Sequence, residues 1–430
     1  MTISNNVIKH DYLRSASESA DGASRAATIV LPILFFAAGV AMAFHYVDVN
    51  AAPGETGLAA LTFLRTGTIA DPYMAPTGPT AHVSPLVTLY LAGVFKLFGS
   101  NTPLARTVLS IVAAASYALS VFLTLRICWR SSRLFWIAAG LMITFPLFFY
   151  ISTISSRQWD QPFANLLAIA VASLLFAAPS SSILPLLAIS VLCGIGALVS
   201  PILLPAFFCA LAMFAWRRRG HFPPIKSMII GLAIVSTCLL PWAIRNELSL
   251  GKFILTRSSF PLEFAVGNAA GATGISESGT GLVLHPYVSP SAAAEMARIG
   301  EVKYMEKMKG IGITRVTNNF GEFLNVTWDR IVYSLVMPAM VKWAPPFGDR
   351  AGTFAFIFGM LHIGALLLIV FLRGPILFAT VFTILPLGPY WITHVNFRYL
   401  SIIYFPTVIV IAWVIAELSA YLGKRKIVGD

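Results

Sequence analysis

Acidic residues are scarce in this chain, 18 against 30 lysines and arginines in 430 residues, so those lying between apolar segments stand out. Glu55 follows Pro53-Gly54 after the first apolar stretch, and Asp160 follows Trp159 in the polar run Ser155-Ser156-Arg157-Gln158-Trp159-Asp160-Gln161. A carboxylate in such a place can take the proton of an acceptor hydroxyl as general base. Other polar stretches carry His82, Arg245, Arg257, Asn268, His285, Arg398 and Tyr399, groups suited to binding a substrate. Arginine presents a planar donor fork that stays charged and holds a phosphate through two hydrogen bonds. The combination suits displacement of a phosphate leaving group: arginines or a metal ion stabilise the departing charge while a carboxylate activates the attacking hydroxyl. A sugar esterified to a polyprenyl phosphate is a substrate of that kind.

Each residue also has a plainer duty open to it. Glu55 could be the favourable acid of a helix first turn, Asp160 a solvated boundary residue, His82 a hydrogen-bonding strut, and Arg245 and Arg398 interfacial anchors. No set of histidine, cysteine and acidic residues has the spacing of a metal site, which leaves a divalent cation open rather than assigned. The four cysteines lie in or beside apolar segments without paired spacing, so neither disulfides nor a zinc site is indicated.

The elements that position these residues follow from composition. Hydrophobic residues make up 57% of the chain and charged residues 11%, with a mean hydropathy of +0.79. Those values exclude a soluble domain and predict an all-α polytopic membrane protein with about ten transmembrane helices and interfacial helices between them. The formal charge of +12 is carried at the ends of apolar segments rather than along a stripe with interleaved aromatics. That pattern excludes a nucleic-acid partner and names the lipid bilayer instead.

The positive-inside rule then orients the chain. Residues 1–25 form a polar cytoplasmic tail, and 26–44 is an uncleaved anchor. The segment 85–98 is too short to span and is expected as an interfacial helix. Arg126, Arg130 and Arg133 mark the cytoplasmic end of span 104–125, and 134–151 returns outward. Spans 163–178, 183–199, 202–214 and 227–244 follow, with a break at Ser200-Pro201 and Arg217, Arg218, Arg219 and Lys226 on the cytoplasmic side. Spans 353–372, 375–391 and 400–418 close the set, with Lys424-Arg425-Lys426 inside. The organisation is thus an N-terminal transmembrane module, 26–246, containing an external loop at 47–103. A large external loop at 247–350, C-terminal helices at 351–420 and a cytoplasmic tail at 421–430 complete it. Within the large loop, 289–309 is expected to be helical and 323–343 an amphipathic helix ending at Pro345-Pro346. This topology gathers all the polar clusters named above on one face.

The same residues carry a family resemblance. Pro53-Gly54-Glu55-Thr56, Pro76-Thr77-Gly78-Pro79-Thr80-Ala81-His82-Val83-Ser84-Pro85-Leu86, Phe95-Lys96-Leu97-Phe98-Gly99 and Trp159-Asp160 occur in that order. Pro241-Trp242-Ala243-Ile244-Arg245-Asn246, Gly251-Lys252-Phe253, Arg257, Leu262-Glu263, Gly267-Asn268, His285-Pro286, Gly300-Glu301-Val302-Lys303-Tyr304 and Phe397-Arg398-Tyr399 continue it. The set resembles bacterial GT-C glycosyltransferases of the dolichyl-phosphate-mannose protein mannosyltransferase type, which include the aminoarabinose transferases of lipid A. The resemblance implies an inner-membrane enzyme with both termini cytoplasmic. It would take a sugar from a polyprenyl-phosphate donor on the periplasmic face and pass it, with inversion, to a glycan, lipid or protein acceptor of the envelope. It gives the base role to the acidic motif of the first loop. Gly54 stands here where that motif often has Asp, which leaves Glu55, with Asp48 and Asp71 as local substitutes. The second-loop acid falls on Asp160 and phosphate binding on Arg245 or Arg398. The rival classes are a non-catalytic scaffold and a transporter or lipid-linked glycan flippase. A transporter would put ionisable residues and paired broken helices inside the membrane; His362 is the main such residue in the expected spans.

Overall fold

With no water in the hydrocarbon region, an apolar segment must satisfy its backbone internally, which favours helices throughout. The computed structural model describes residues 22–46, 53–73, 75–100, 102–177, 181–275, 280–336, 347–348, 350–372 and 374–428. Among the described residues there is no strand beyond two isolated bridges, Ala70 to Pro79 and Ile275 to Val395. Asp48, most of the N-terminal tail and Trp343 to Pro346 fall outside the described residues.

The main helices in chain order are α1 (Gly22–His45), α2 (Glu55–Thr66), α3 (Pro85–Phe98), α4 (Pro103–Cys128), α5 (Ser132–Thr144), α6 (Gln161–Ala177), α7 (Leu184–Val199), α8 (Leu204–Arg217) and α9 (Pro224–Leu250). They continue as α10 (Phe260–Gly267), α11 (Pro290–Ile299), α12 (Glu301–Asn318), α13 (Phe320–Val336), α14 (Arg350–Phe371) and α15 (Tyr404–Val428). Five described helices are long and apolar enough to cross a membrane: Gly22–His45, Pro103–Cys128, Pro224–Leu250, Arg350–Phe371 and Arg398–Leu422. The pair Ser132–Thr144 and Leu147–Ser155, bent by 66°, makes a sixth if it is one span. The other four expected spans coincide with the shorter apolar helices Gln161–Phe176, Leu184–Val199, Pro201–Arg217 and Ile376–Ile392. The molecule is an all-α polytopic membrane protein.

Breaks fall where the chemistry demands them. Pro146 removes a backbone donor and bends the 132–155 segment. Ile376–Ile392 is interrupted by π and 3₁₀ turns around Pro386. The helical stretch expected at 289–309 is two helices, because Gly300 takes φ +84° between α11 and α12. The expected amphipathic helix begins earlier, at Phe320, and is described to Val336. Besides His362, buried in α14, Arg106 lies buried in the first turn of α4.

In the membrane layer α1 packs on α4, α4 on α6, and α7 on α9. Its core includes the aromatic group Phe35, Tyr117, Phe148, Phe149, Tyr404 and Phe405. The second, smaller layer consists of α10, α11 and α12, which bury Leu262, Met296, Tyr304 and Met308 together with Tyr73 from the first loop. Tyr73 thus pins that loop beneath the helices of the large one, and the candidate site lies at this junction.

Candidate active site

Glu55 is the first residue of α2, with Gly54 at the N-cap position. The helix start favours its charge, so the plain duty foreseen for it and a chemical one coincide. His82 Nε2 lies 3.4 Å from Glu55 Oε2, and His285 Nε2 lies 3.5 Å from Glu55 Oε1. A second carboxylate extends the chain of contacts: Glu263 Oε1 is 3.9 Å from His285 Nε2, and its Oε2 is 3.6 Å from His394 Nε2. Five titratable side chains from five separate stretches of sequence therefore alternate His82, Glu55, His285, Glu263, His394. The Tyr287 backbone N–H donates to His285 Nδ1 (3.2 Å), so in the neutral imidazole Nε2 carries the proton and faces both carboxylates.

Charge in this row is set by opposing effects. Burial alone would push the Glu55 carboxyl up, but His82 and then His285 outweigh it and hold it below its ordinary range. Burial also works against Glu263, yet the His285 hydrogen bond and the charges of His394 and His285 hold it far below the usual carboxylate range. Burial lowers His285, but its bond to Glu263 and the nearby Glu55 raise it on balance. His394 stays lowered, because burial, Arg330 and His285 outweigh Glu263.

The other half of the site is aromatic and cationic. The Arg398 guanidinium lies 3.8 Å above the Trp159 ring, and Nη2 donates to the Tyr399 hydroxyl (3.4 Å). The Tyr399 ring stacks on Tyr390 with centroids 4.3 Å apart and planes 2° from parallel. Arg398 Nε is buried with no hydrogen-bond partner among the described residues. A side chain at Gly54 would bring a Cβ to 2.9 Å from the Trp159 ring. Trp159 thus occupies, beside Glu55, the space that a side chain at position 54 would need. Asp160, next in sequence, pairs with Arg257 Nη1 at 3.8 Å, while Arg257 Nε donates to the His82 carbonyl (2.8 Å). Arg257 so ties the two halves together.

Two expected binding residues turn inward instead. Arg245 donates to the carbonyls of Thr80 (2.7 Å) and Ile69 (2.6 Å) and fastens the first loop to the end of α9. Asn268 donates to the carbonyls of Phe264 and Ile392 and accepts from Arg330. Asp71 accepts from the Gly78 N–H within its own loop, so it is a turn residue. Of the sequence-based candidates, Glu55, His82, His285, Asp160, Arg257, Arg398 and Tyr399 come together; Arg245, Asn268 and Asp71 hold their surroundings.

Sequence reasoning did not single out Glu263, His394, Tyr73 or Glu301 for the site. Glu301 accepts from Thr80 Oγ1 (2.5 Å), the Ala81 N–H (2.9 Å) and Ser258 Oγ (2.7 Å), three donors on two loops. The motif Pro79 to His82 is shaped by an acid more than two hundred residues away, a link no local signal carries. Tyr73 is 3% exposed, its ring packs against His82 and His285, and its hydroxyl has no partner among the described residues. Burial and then the charges of Glu55, Glu301 and Glu263 keep that phenol protonated.

The structure also gathers three potential metal ligands, on a question that spacing along the chain left open. Ligand atoms of Glu55, His82 and His285 lie within 4.8 Å of one another. Glu55 Oε1 and both His82 ring nitrogens are buried without hydrogen-bond partners among the described residues. Two imidazoles and a carboxylate form a donor set that suits zinc or a similar first-row divalent ion, so the residues fit such a group. They come from the start of α2, the end of the first loop and the large loop, which is why spacing along the chain hid them.

No protein-family model and no curated protein sequence matches this chain. Among solved structures, the chain is similar to the archaeal oligosaccharyltransferase AglB from Archaeoglobus fulgidus, determined in complex with an inhibitory peptide and a dolichol-phosphate. The match covers 93% of this chain and 51% of that one, at 13% identity and a TM-score of 0.50. The chain therefore spans about half the length of its neighbour. At that identity the likeness establishes a shared fold and nothing of activity.

Proposed function

We propose that the protein is a polyprenyl-phosphate-sugar-dependent glycosyltransferase. It moves a sugar to a hydroxyl of an envelope glycan, lipid or protein acceptor, with inversion, on the periplasmic face of a bacterial inner membrane. The observation that carries this reading is that two buried polar atoms without hydrogen-bond partners among the described residues, Glu55 Oε1 and Arg398 Nε, are linked through one ring: Trp159 stacks on Arg398 and fills the space at Gly54, next to Glu55.

In this reading the donor phosphate lies against Arg398, whose guanidinium Trp159 and Tyr399 orient, with Arg257 next in reach. The acceptor hydroxyl approaches Glu55 Oε1 from the opposite side of the anomeric carbon. Its proton passes to Glu55 as its oxygen bonds the anomeric carbon. The bond from that carbon to the phosphate oxygen breaks, and the electron pair leaves with polyprenyl phosphate. Attack opposite the leaving group inverts the centre. His82 and His285 keep Glu55 ionised, at the cost of basicity, and a phosphate leaving group tolerates that weaker base. A divalent ion on Glu55, His82 and His285 would supply Lewis acidity at the acceptor oxygen. The neighbour of like fold holds a dolichol-phosphate and a peptide, which supports a lipid-linked donor.

The test is reconstitution of purified protein in liposomes with a polyprenyl-phosphate sugar and envelope acceptors. Release of polyprenyl phosphate that requires an acceptor is expected. Donor binding without release, across glycan, lipid and peptide acceptors, would overturn the reading. Mass spectrometry of envelope glycans and lipid A from a deletion strain identifies the sugar and acceptor together.

A further inference from the structure

The end of the helix bundle away from the candidate site carries a different kind of cluster. Arg245 near the end of α9 binds the first loop, so the start of α9, at Pro224, lies at the opposite end of that 27-residue helix. Arg217 and Arg218 at the end of α8 and Arg130 just beyond α4 lie at this opposite end. Arg130 donates to the carbonyl of Phe176 (2.5 Å), near the last turn of α6, and Arg218 donates to the Ser182 carbonyl before α7. Four helix ends therefore converge here.

Arg218 is already used. It is 2% exposed and lies between the rings of Phe214 and Phe222, 6.0 and 5.6 Å from their centroids. Arg217 differs: its Nη1 is buried with no hydrogen-bond partner among the described residues, and Arg130 is close enough to repel it. Between Pro72 and Asn246 the sequence has one acidic residue, Asp160, at the other end of α6. The described ion pairs all belong to the site face or the large loop. Orientation in the membrane explains why arginines stand at this end. It does not explain why a donor of Arg217 is buried and unmet among the described residues within the field of Arg130, an arrangement that costs free energy until an anion joins it.

The surroundings identify the anion's carrier. Trp216 is 54% exposed with Arg219 stacked on it at 4.8 Å, and Leu184 and Ile225 are 70% and 74% exposed. Indole and arginine together mark headgroup depth, and the exposed aliphatic side chains face acyl chains. We propose that Arg130 and Arg217 form a binding site for the phosphate of an anionic phospholipid headgroup, at the membrane face opposite the transferase site.

The experiment is native mass spectrometry of detergent-purified full-length protein titrated with phosphatidylglycerol, phosphatidylcholine or inorganic phosphate, with melting temperature followed in parallel. Wild type should retain phosphatidylglycerol in preference to phosphatidylcholine and melt about 3 °C higher with it. Arg217→Gln should lose about fivefold in phosphatidylglycerol occupancy, and Arg130→Gln a similar factor, as expected for about 1 kcal/mol per basic residue at a lipid surface. Arg130 is exposed, so its substitution tests the site even if Arg217→Gln fails to fold. Equal retention of both lipids, unchanged occupancy in Arg130→Gln, or equal stabilisation by inorganic phosphate alone would overturn the proposal.

Discussion

The two halves of the candidate site meet at Gly54, where the Trp159 ring packs beside the residue that precedes Glu55, and are built on opposite principles. One half is a row of imidazoles and carboxylates on loops and helix starts, in which Glu55, His285 and Glu263 are held charged by their neighbours where burial alone would not. The other is a guanidinium fixed by stacking on Trp159 and by a hydroxyl whose ring is itself stacked. The first half can gain and lose protons, while the second holds a permanent charge in one place. Acid-base work and anion binding need those separate properties, so substitutions on the two sides should fail differently.

The largest expected effect is that of Glu55→Gln. The amide keeps shape and the helix start but cannot take a proton, so turnover should fall by about 10² to 10⁴ with donor binding unchanged. A kcat near wild type would remove Glu55 from the base role. Arg398→Gln should show the reverse split. Donor KM should rise by about 10- to 100-fold, the weight of one hydrogen bond to a charged group, while Glu55 chemistry persists at saturating donor. Equal loss of kcat in both variants would break the distinction between the halves.

The sequence made one half more legible than the other. Glu55, Asp160 and Arg398 stood out because charge is rare beside apolar segments, and the positive-inside rule put their loops on one face. Apolar run length also located the membrane helices, although Pro146 bends one segment that read as straight and π and 3₁₀ turns interrupt another around Pro386. Glu263 and His394 were invisible as partners because their contact exists only once α10 and the 394–396 turn meet. There Gly267 packs directly on the Thr393 carbonyl, so close that any side chain would collide. Arg245 read as a phosphate ligand because arginine type alone does not reveal that two backbone carbonyls already engage it.

Smaller effects test what holds the halves in register. Glu301→Gln leaves three donors around a weaker acceptor at a residue 4% exposed. It should destabilise the protein by about 1–3 kcal/mol, read as a lower melting temperature, and should displace His82 enough to reduce kcat more than donor KM. Gly54→Ala is milder still. Its Cβ would press on Trp159 at 2.9 Å, so donor KM should rise several-fold through Arg398 while the melting temperature barely moves. A Gly54→Ala enzyme with wild-type donor affinity would show that the Trp159 stack does not position Arg398.

The smallest expected effect is a pH dependence of stability, measured on chelator-treated protein. His285 binds its proton more tightly in the folded state, so its contribution is fully present below the ordinary imidazole value of about 6.5 and fades as pH rises through the raised folded value. Glu263 is shifted the other way. Its contribution is present above the ordinary carboxylate value of about 4.3 and fades only as pH falls through its depressed folded value. Both are therefore complete between about pH 4.3 and 6.5. The melting-temperature gap between wild type and His285→Gln should be widest in that window and narrow toward alkaline pH. Arg398→Gln, on the half with fixed charge, should show a gap that stays flat over the same range. A flat gap for His285→Gln as well would mean that the carboxylate–imidazole row is held by packing rather than by charge.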